Sequence, residues 1–369
     1  MNQKEFISNR QAIALLILFI NGEASIYIEG IAAKSDLWLA FLGGVAMAIP
    51  VILMFARLLS LFPGKNLFDI IEICFGKIWG KLFIIIFTWF CFHSISITLE
   101  DWSFFVRSVA LSETPAWPIV IIFALPCIYG VKKGLEVLGR WSELFLPIII
   151  AVVIVVFLML LPKCNWSYLA PVLYDGIAPV AHGALLTFIF PMTYVVGFLT
   201  VLPLQKDKNS FYKVFLFGLL IGALILFVIY IGVILVLGPY NAASFYYPSY
   251  IKVSMINIGN FLQRLDILTA VVYVCGIFIQ TCVFLMGACK GFAKLFAFSD
   301  YRFIVWPIAI LAITLALYEP GSVMHYFEYG TQVWPYYILL YETVFPFLVW
   351  VVAEIKVRIA KKRRAVPES

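Results

Sequence analysis

The sequence predicts an all-α polytopic membrane protein of about ten spanning helices, in two inverted five-helix repeats whose helices one and six are broken. Three observations carry that expectation. Hydrophobic residues make up 64% of the 369-residue chain and charged residues 12%, with a mean hydropathy of +1.02. No soluble domain hides so much apolar surface behind its own polar shell, so lipid must be the solvent. Apolar runs recur near the length of about 20 residues that a spanning helix needs. Two of these runs, five positions apart in the order, are interrupted by polar residues, glycine or proline at membrane depth.

The polar interruptions place the spans at approximately 11–33, 37–62, 82–105, 117–131, 144–161, 177–203, 214–237, 268–289, 304–318 and 333–352. With the N-terminus inside, 21 of the 26 Lys and Arg residues fall on inside segments, leaving Lys34, Arg107, Lys163, Lys252 and Arg264 outside. That bias predicts both termini in the cytoplasm and an even number of spans. The opening run "AIALLILFI" followed by "NGEAS" imitates a signal peptide, but the apolar pattern resumes at once in "IYIEGIAA", as a broken helix would. The loops are too short to fold separately, so residues 1–369 form a single integral membrane domain, with 356–369 as a basic cytoplasmic tail.

Two connections carry structure of their own. In the inside segment 66–81, Leu67, Ile70, Ile71 and Cys74 recur at helical spacing against Asp69 and Glu72, which predicts a short interfacial helix. The outside segment 241–266 is long and rich in aromatics, as a lid would be. Gly218 with Gly222, and Gly287 with Gly291, have the four-residue spacing that lets helices approach closely. The seven cysteines form no CxxC pair and are expected to be free thiols; Cys275, Cys282 and Cys289 read as small residues at a helix contact rather than as ligands.

A helix interrupted at membrane depth normally lines a protein cavity or water, because an exposed backbone group in hydrocarbon costs several kcal/mol. In span one, Asn21, Gly22, Glu23, Ala24 and Ser25 divide two apolar half-helices, and the half starting near Ala24 would offer amides to an anion such as an α-carboxylate. In span six, Gly183 and "FIFPMT" put Pro191 mid-membrane and free a carbonyl near Thr187, with Phe190 and Tyr194 alongside. Span three adds His93, Ser94, Ser96 and Thr98, and span eight adds Tyr273, Gln280 and Thr281. The candidate ligand-binding set is therefore Asn21, Gly22, Glu23, Ala24, Ser25, His93, Ser96, Thr187, Phe190, Pro191, Tyr194 and Tyr273. Glu23, within the break, suits a substrate ammonium or a proton; Glu29, Glu100 and Asp101 lie nearer the outside, where they would simply face water; Glu342 sits centrally in span ten, as a neutral hydrogen-bonded acid or a proton carrier.

No Walker loop, HExxH, GxSxG or dinucleotide fingerprint occurs, and the only histidines are His93, His182 and His325, so no enzyme activity, cofactor or metal is expected. The basic residues lie between hydrophobic runs, which argues against nucleic acid.

Several segments resemble a known family. They are "ISNRQAIALLILF", "WSELFLPIIIAVVIVVFLMLLP" leading into "LAPVLYDGIAPV", "YYPSYIKVSMINIGNFLQRLDIL", "GACKGFAKLFAFSDYR" and "YEPGSVMHYFEYG". Together they are similar to the B subunits of the GerA-type spore germinant receptors, within the amino acid/polyamine/organocation transporter superfamily. The resemblance implies a spore inner-membrane protein that works with an A subunit and a lipoprotein C subunit and binds a small nutrient germinant, such as an amino acid, between spans one, three, six and eight. The chain departs from the family at Gln263, where a glutamate is usual. It departs again at Asn21, Gly22, Glu23 and Glu29, where relatives carry a "GAG" type break followed by "LP", and at Phe190, Pro191 and Met192, where many carry a glutamate. Pocket chemistry is therefore not carried over. The alternative is a stand-alone amino acid or cation symporter of the same fold, with Glu23 or Glu342 as proton site.

Overall fold

The computed structural model describes residues 7–202, 209–256, 265–318 and 322–364. Helix α1 (Asn9–Ile20) begins in a capping box: Ser8 Oγ accepts from the Gln11 amide and Gln11 Oε1 from the Ser8 amide. It ends at Asn21, and the chain then runs through two 3-10 stretches, Glu23–Ser25 and Ile31–Asp36, into α2 (Leu37–Leu61). The second α half-helix expected from the resumed apolar pattern does not form. Gly30 explains part of this, since its φ of +72° leaves the helical region and a Cβ there would lie 2.9 Å from Gly183 O.

The predicted interfacial helix and third span are one element, α3 (Leu67–Val109), bent at Gly76 where φ is +77°. Leu67, Ile70, Ile71 and Cys74 are buried on one side of its first turns, while Asp69 and Glu72 each lie 2.7 Å from Lys294. Helices α4 (Ala116–Lys133) and α5 (Leu135–Leu160) follow. The sixth span is composite: α6 (Ile177–Thr187), a π-helical turn Phe188–Thr193, a 3-10 turn Tyr194–Gly197 and α7 (Phe198–Val201). Then come α8 (Asn209–Leu237), the short outer helices α9 (Pro239–Ala242) and α10 (Pro248–Ser254), α11 (Asp266–Leu295) and α12 (Val305–Tyr318). Helix α13 (Val323–Gln332), α14 (Trp334–Leu339), a second π-helical turn Leu340–Val344 and α15 (Phe345–Arg364) complete the chain. Gln263, Arg264 and the "EPG" of "YEPGSVMHYFEYG" lie outside the described residues.

Among the described residues, eight helical segments are long and apolar enough to cross a membrane on their own. The other two of the ten predicted spans are shorter: α1 stops at the break, and α12 is followed by α13 at 107°. Span-to-span packing has the symmetry of two repeats. α1 packs on α8 as α2 packs on α6, α3 on α12 as α11 on α4, and α3 on α15 as α11 on α5. Exchanging the first five spans with the last five turns each contact into its partner.

The glycine spacings are close approaches: Gly218 and Gly222 seat Leu16 and Ile20 of α1, and Gly287 and Gly291 seat Thr200 and Thr88. All seven cysteines are free, with Cys282 Sγ 3.7 Å from the Cys127 carbonyl oxygen.

Candidate functional site

The end of α1 is held from two sides. Asn21 Nδ2 donates to Ile17 O at 2.8 Å and to Gly222 O at 3.2 Å, and Gln280 Oε1 of α11 accepts from the Glu23 amide at 3.1 Å. Gly22 is needed for that approach, because a Cβ would fall 2.2 Å from Gln280 Oε1, and on the facing helix a Cβ at Gly276 would fall 2.5 Å from Gly22 Cα. The remaining amides turn inward: Ser25 N reaches Gly22 O, and Ile26 N and Tyr27 N both reach Glu23 O. No row of free amides is left for an α-carboxylate, contrary to what an α half-helix starting near Ala24 would provide.

Glu23 lines a cavity of about 460 Å³ that lies beneath the connections between spans seven and eight and between spans nine and ten. This lies in the range of about 300–1,000 Å³ usual for small-molecule pockets. Its inner wall is Glu23, Ile97 of α3 and Phe190 of the π-helical turn; Tyr27, Ile28, Glu29 and Ile31 line one side. Residues of the outer segment (Ala243, Phe245, Tyr246 and Pro248), α13, and Trp334 and Pro335 of α14 cover it. The cover closes on itself by ring contacts, Tyr246 with Phe327 at 4.4 Å and Tyr27 with Phe327 at 5.4 Å. Glu23 is 6% exposed, and its Oε1 has no hydrogen-bond partner among the described residues.

The sequence-predicted residues divide by position. Glu23 and Phe190 line the cavity. Tyr194 lies directly behind Phe190, rings 5.2 Å apart, in a buried aromatic cluster with Phe19, Phe90 and Phe284. Asn21, Gly22, Ala24 and Pro191 are buried in the two breaks and shape them. The others face elsewhere. Ser25 lines a separate small cavity with Ser249 and Lys252; Thr187 packs on Gly44 of α2; Ser96 donates to Ala312 O at 3.2 Å; Tyr273 donates to Asp101 Oδ2 at 2.6 Å. His93 sits one layer back, its ring 5.4 Å from Trp334 and its Nδ1 3.3 Å from Tyr337 OH.

Glu100 and Asp101 do not face water: both are buried, because α11 and the outer segment cover the outer half of α3. Glu342 is fully buried, with Oε2 2.8 Å from Thr193 Oγ1, so the π-helical turns of spans six and ten meet at this pair. Sequence reasoning missed α13, which supplies the largest share of the cover. Its signal was present: Ser322 caps its first turn, and the run "VMHYFEYGTQ" is aromatic yet too polar to span.

A cavity bounded by paired breaks in helices one and six defines a transporter-like membrane protein. Solved structures agree on the fold. Mhp1, a nucleobase-cation-symport-1 family transporter in a closed conformation with bromovinylhydantoin bound, superposes with a TM-score of 0.65 at 12% identity, over 89% of this chain and 75% of Mhp1. MhsT in complex with L-phenylalanine gives 0.60 at 13% identity, over 95% and 89%. The family described as "Spore germination protein" matches residues 6–322, and the chain belongs to it. Spore germination protein KB of Bacillus subtilis (strain 168) is 25% identical over 366 residues, covering 98% of this chain and 97% of that protein.

Proposed function

We propose that the chain is the integral membrane subunit of a spore nutrient germinant receptor, and that a small nutrient bound in the cavity between the two breaks triggers germination. In this reading it sits in the spore inner membrane with both termini cytoplasmic and works with an A subunit and a lipoprotein C subunit, which read its change of state. The carrying observation is a covered cavity that both breaks help to line, with the buried Glu23 and Phe190 at its inner wall. Near full-length similarity to a spore germination protein supports the receptor role. The ligand shifts the bundle only by its differential affinity for two states, so a pocket change alters sensitivity rather than assembly.

The test is nutrient-triggered germination of spores carrying the chain with its native partners, at matched protein levels. Glu23→Gln and Pro191→Ala are expected to raise the half-maximal nutrient concentration about tenfold or more, a loss of about 1.4 kcal/mol, while non-nutrient triggers still work. An unchanged dose response in both variants sinks the pocket assignment.

A stand-alone amino acid or cation symporter is favoured by a different observation, the buried Glu342 joined to Thr193 between two π-helical turns. Under that reading proteoliposomes containing this chain alone accumulate substrate down a proton gradient, and Glu342→Gln abolishes it.

A further inference from the structure

We propose that the corner where the end of α15 meets the start of α3, on the face away from the cavity, docks on anionic phospholipid headgroups. Two stretches distant in sequence meet there: Lys356 Nζ donates to Ile73 O at 2.7 Å, and the Phe345 and Phe83 rings lie 5.9 Å apart. The corner holds six exposed cations, Lys77 and Lys81 on α3 and Lys356, Arg358, Lys361 and Lys362 on α15. Its acids are already matched, Asp69 and Glu72 by Lys294 and Glu354 by Arg57. Among the described residues none of the six cations has a carboxylate within ion-pair distance. By contrast, Arg10, Arg140 and Lys294 on the same face are each neutralised within the chain. The corner therefore carries a local excess of positive charge that an external anion completes.

The same corner exposes apolar surface that a soluble polyanion would leave wet. Ile78 is 84% exposed and Trp79 65%, directly after the bend at Gly76 and between Lys77 and Lys81. On α15, Ile355 and Ile359 are exposed and four residues apart, so they share a face, and Arg358 and Lys362 follow them at three-residue spacing. A layer of anionic headgroups meets both needs in one plane. Trp and apolar side chains settle at headgroup level, and basic clusters at the end of a spanning helix are drawn to anionic lipid. A zwitterionic headgroup carries its own ammonium beside the phosphate, which cancels most of that attraction.

The experiment is lipid titration of the full chain, delipidated in a neutral detergent, with bound lipids counted by native mass spectrometry. The probes are phosphatidylglycerol and phosphatidylcholine with the same acyl chains, and the competitors are inorganic phosphate and polyglutamate. Phosphatidylglycerol is expected to bind about tenfold more tightly than phosphatidylcholine, and less so as ionic strength rises. Lys77→Gln with Lys81→Gln, and separately Lys361→Gln with Lys362→Gln, are expected to lower phosphatidylglycerol affinity about tenfold and leave phosphatidylcholine unchanged. Trp79→Ser is expected to weaken both lipids alike. Melting midpoints matching wild type show that the exposed variants are folded, and the two charge pairs test the corner independently. Phosphatidylcholine binding as tightly as phosphatidylglycerol, or phosphatidylglycerol affinity unchanged in both charge pairs, overturns the proposal. Displacement of phosphatidylglycerol by excess inorganic phosphate would assign the cations to free phosphate and overturn it too. Displacement by polyglutamate, with Trp79→Ser without effect, would make the corner a contact for an acidic protein instead.

Discussion

Gln280 gives the sharpest test of how the break in span one is held. Its Oε1 is the acceptor for the Glu23 amide at 3.1 Å, and both residues are buried. Methionine at this position keeps the length and volume but offers no comparable acceptor, so Gln280→Met leaves a buried amide unpaired without opening a void. An unsatisfied buried donor costs about 1–3 kcal/mol. The bound state has Glu23 fixed at the cavity wall, so that energy is lost from the binding-competent geometry. The ligand concentration for half-maximal response should rise by about 5- to 150-fold. The assay is the germination dose response, paired with the melting midpoint of the solubilised chain, which should also fall. A midpoint and a half-maximal concentration both within twofold or experimental scatter of wild type would refute the idea that α11 sets the geometry of the break.

Two further outcomes are expected. Lys252, on the outer helix α10, is 4% exposed with Nζ donating to Ile229 O at 2.6 Å, and burial pushes its pKa from the ordinary 10.5 down to about 7, against a small upward pull from Cys164. Between about pH 7 and 10.5 the unfolded chain holds a proton that the folded chain has released, so stability should rise with pH across that window; melting scans at stepped pH check this, and Lys252→Met should flatten the slope. Gly276→Ala would place a Cβ 2.5 Å from Gly22 Cα and 2.7 Å from Gly22 N, backbone atoms that cannot swing aside; a loss of about 1–3 kcal/mol or more is expected, and a variant melting like wild type would show that α1 has more freedom than its packing implies.

The spans were legible because their cause is local: about twenty consecutive apolar residues report lipid directly. Both breaks were legible for the same reason, since Gly22 and Pro191 act on their own backbone. The lining was less so. Glu23 and Phe190 reach the cavity, whereas Ser96 and Thr187 face neighbouring helices, and facing depends on rotations of a few tens of degrees that composition does not encode. The burial of Asp101 depends on the folding of the distant outer segment over α3, and the covering role of α13 depends on its angle to α12. Span one illustrates the limit well: "IYIEGIAA" is apolar enough to suggest helix, yet contact between Gly30 and Gly183 holds it in 3-10 turns.

Ion pairs are unevenly shared between the two faces. Among the described residues, Arg10 with Glu143, Arg57 with Glu354, Arg140 with Glu136, and Lys294 with Asp69 and Glu72 all lie on the face away from the cavity. On the cavity face the pair is Lys34 with Asp175, while the cover itself is closed by stacked rings. Screening by electrolyte weakens exposed pairs but leaves ring contacts nearly untouched. A lipid barrier also keeps the two electrolytes separate. The mouth of the cavity should therefore hold its shape from dilute to saline surroundings, whatever the electrolyte does to the pairs on the opposite face.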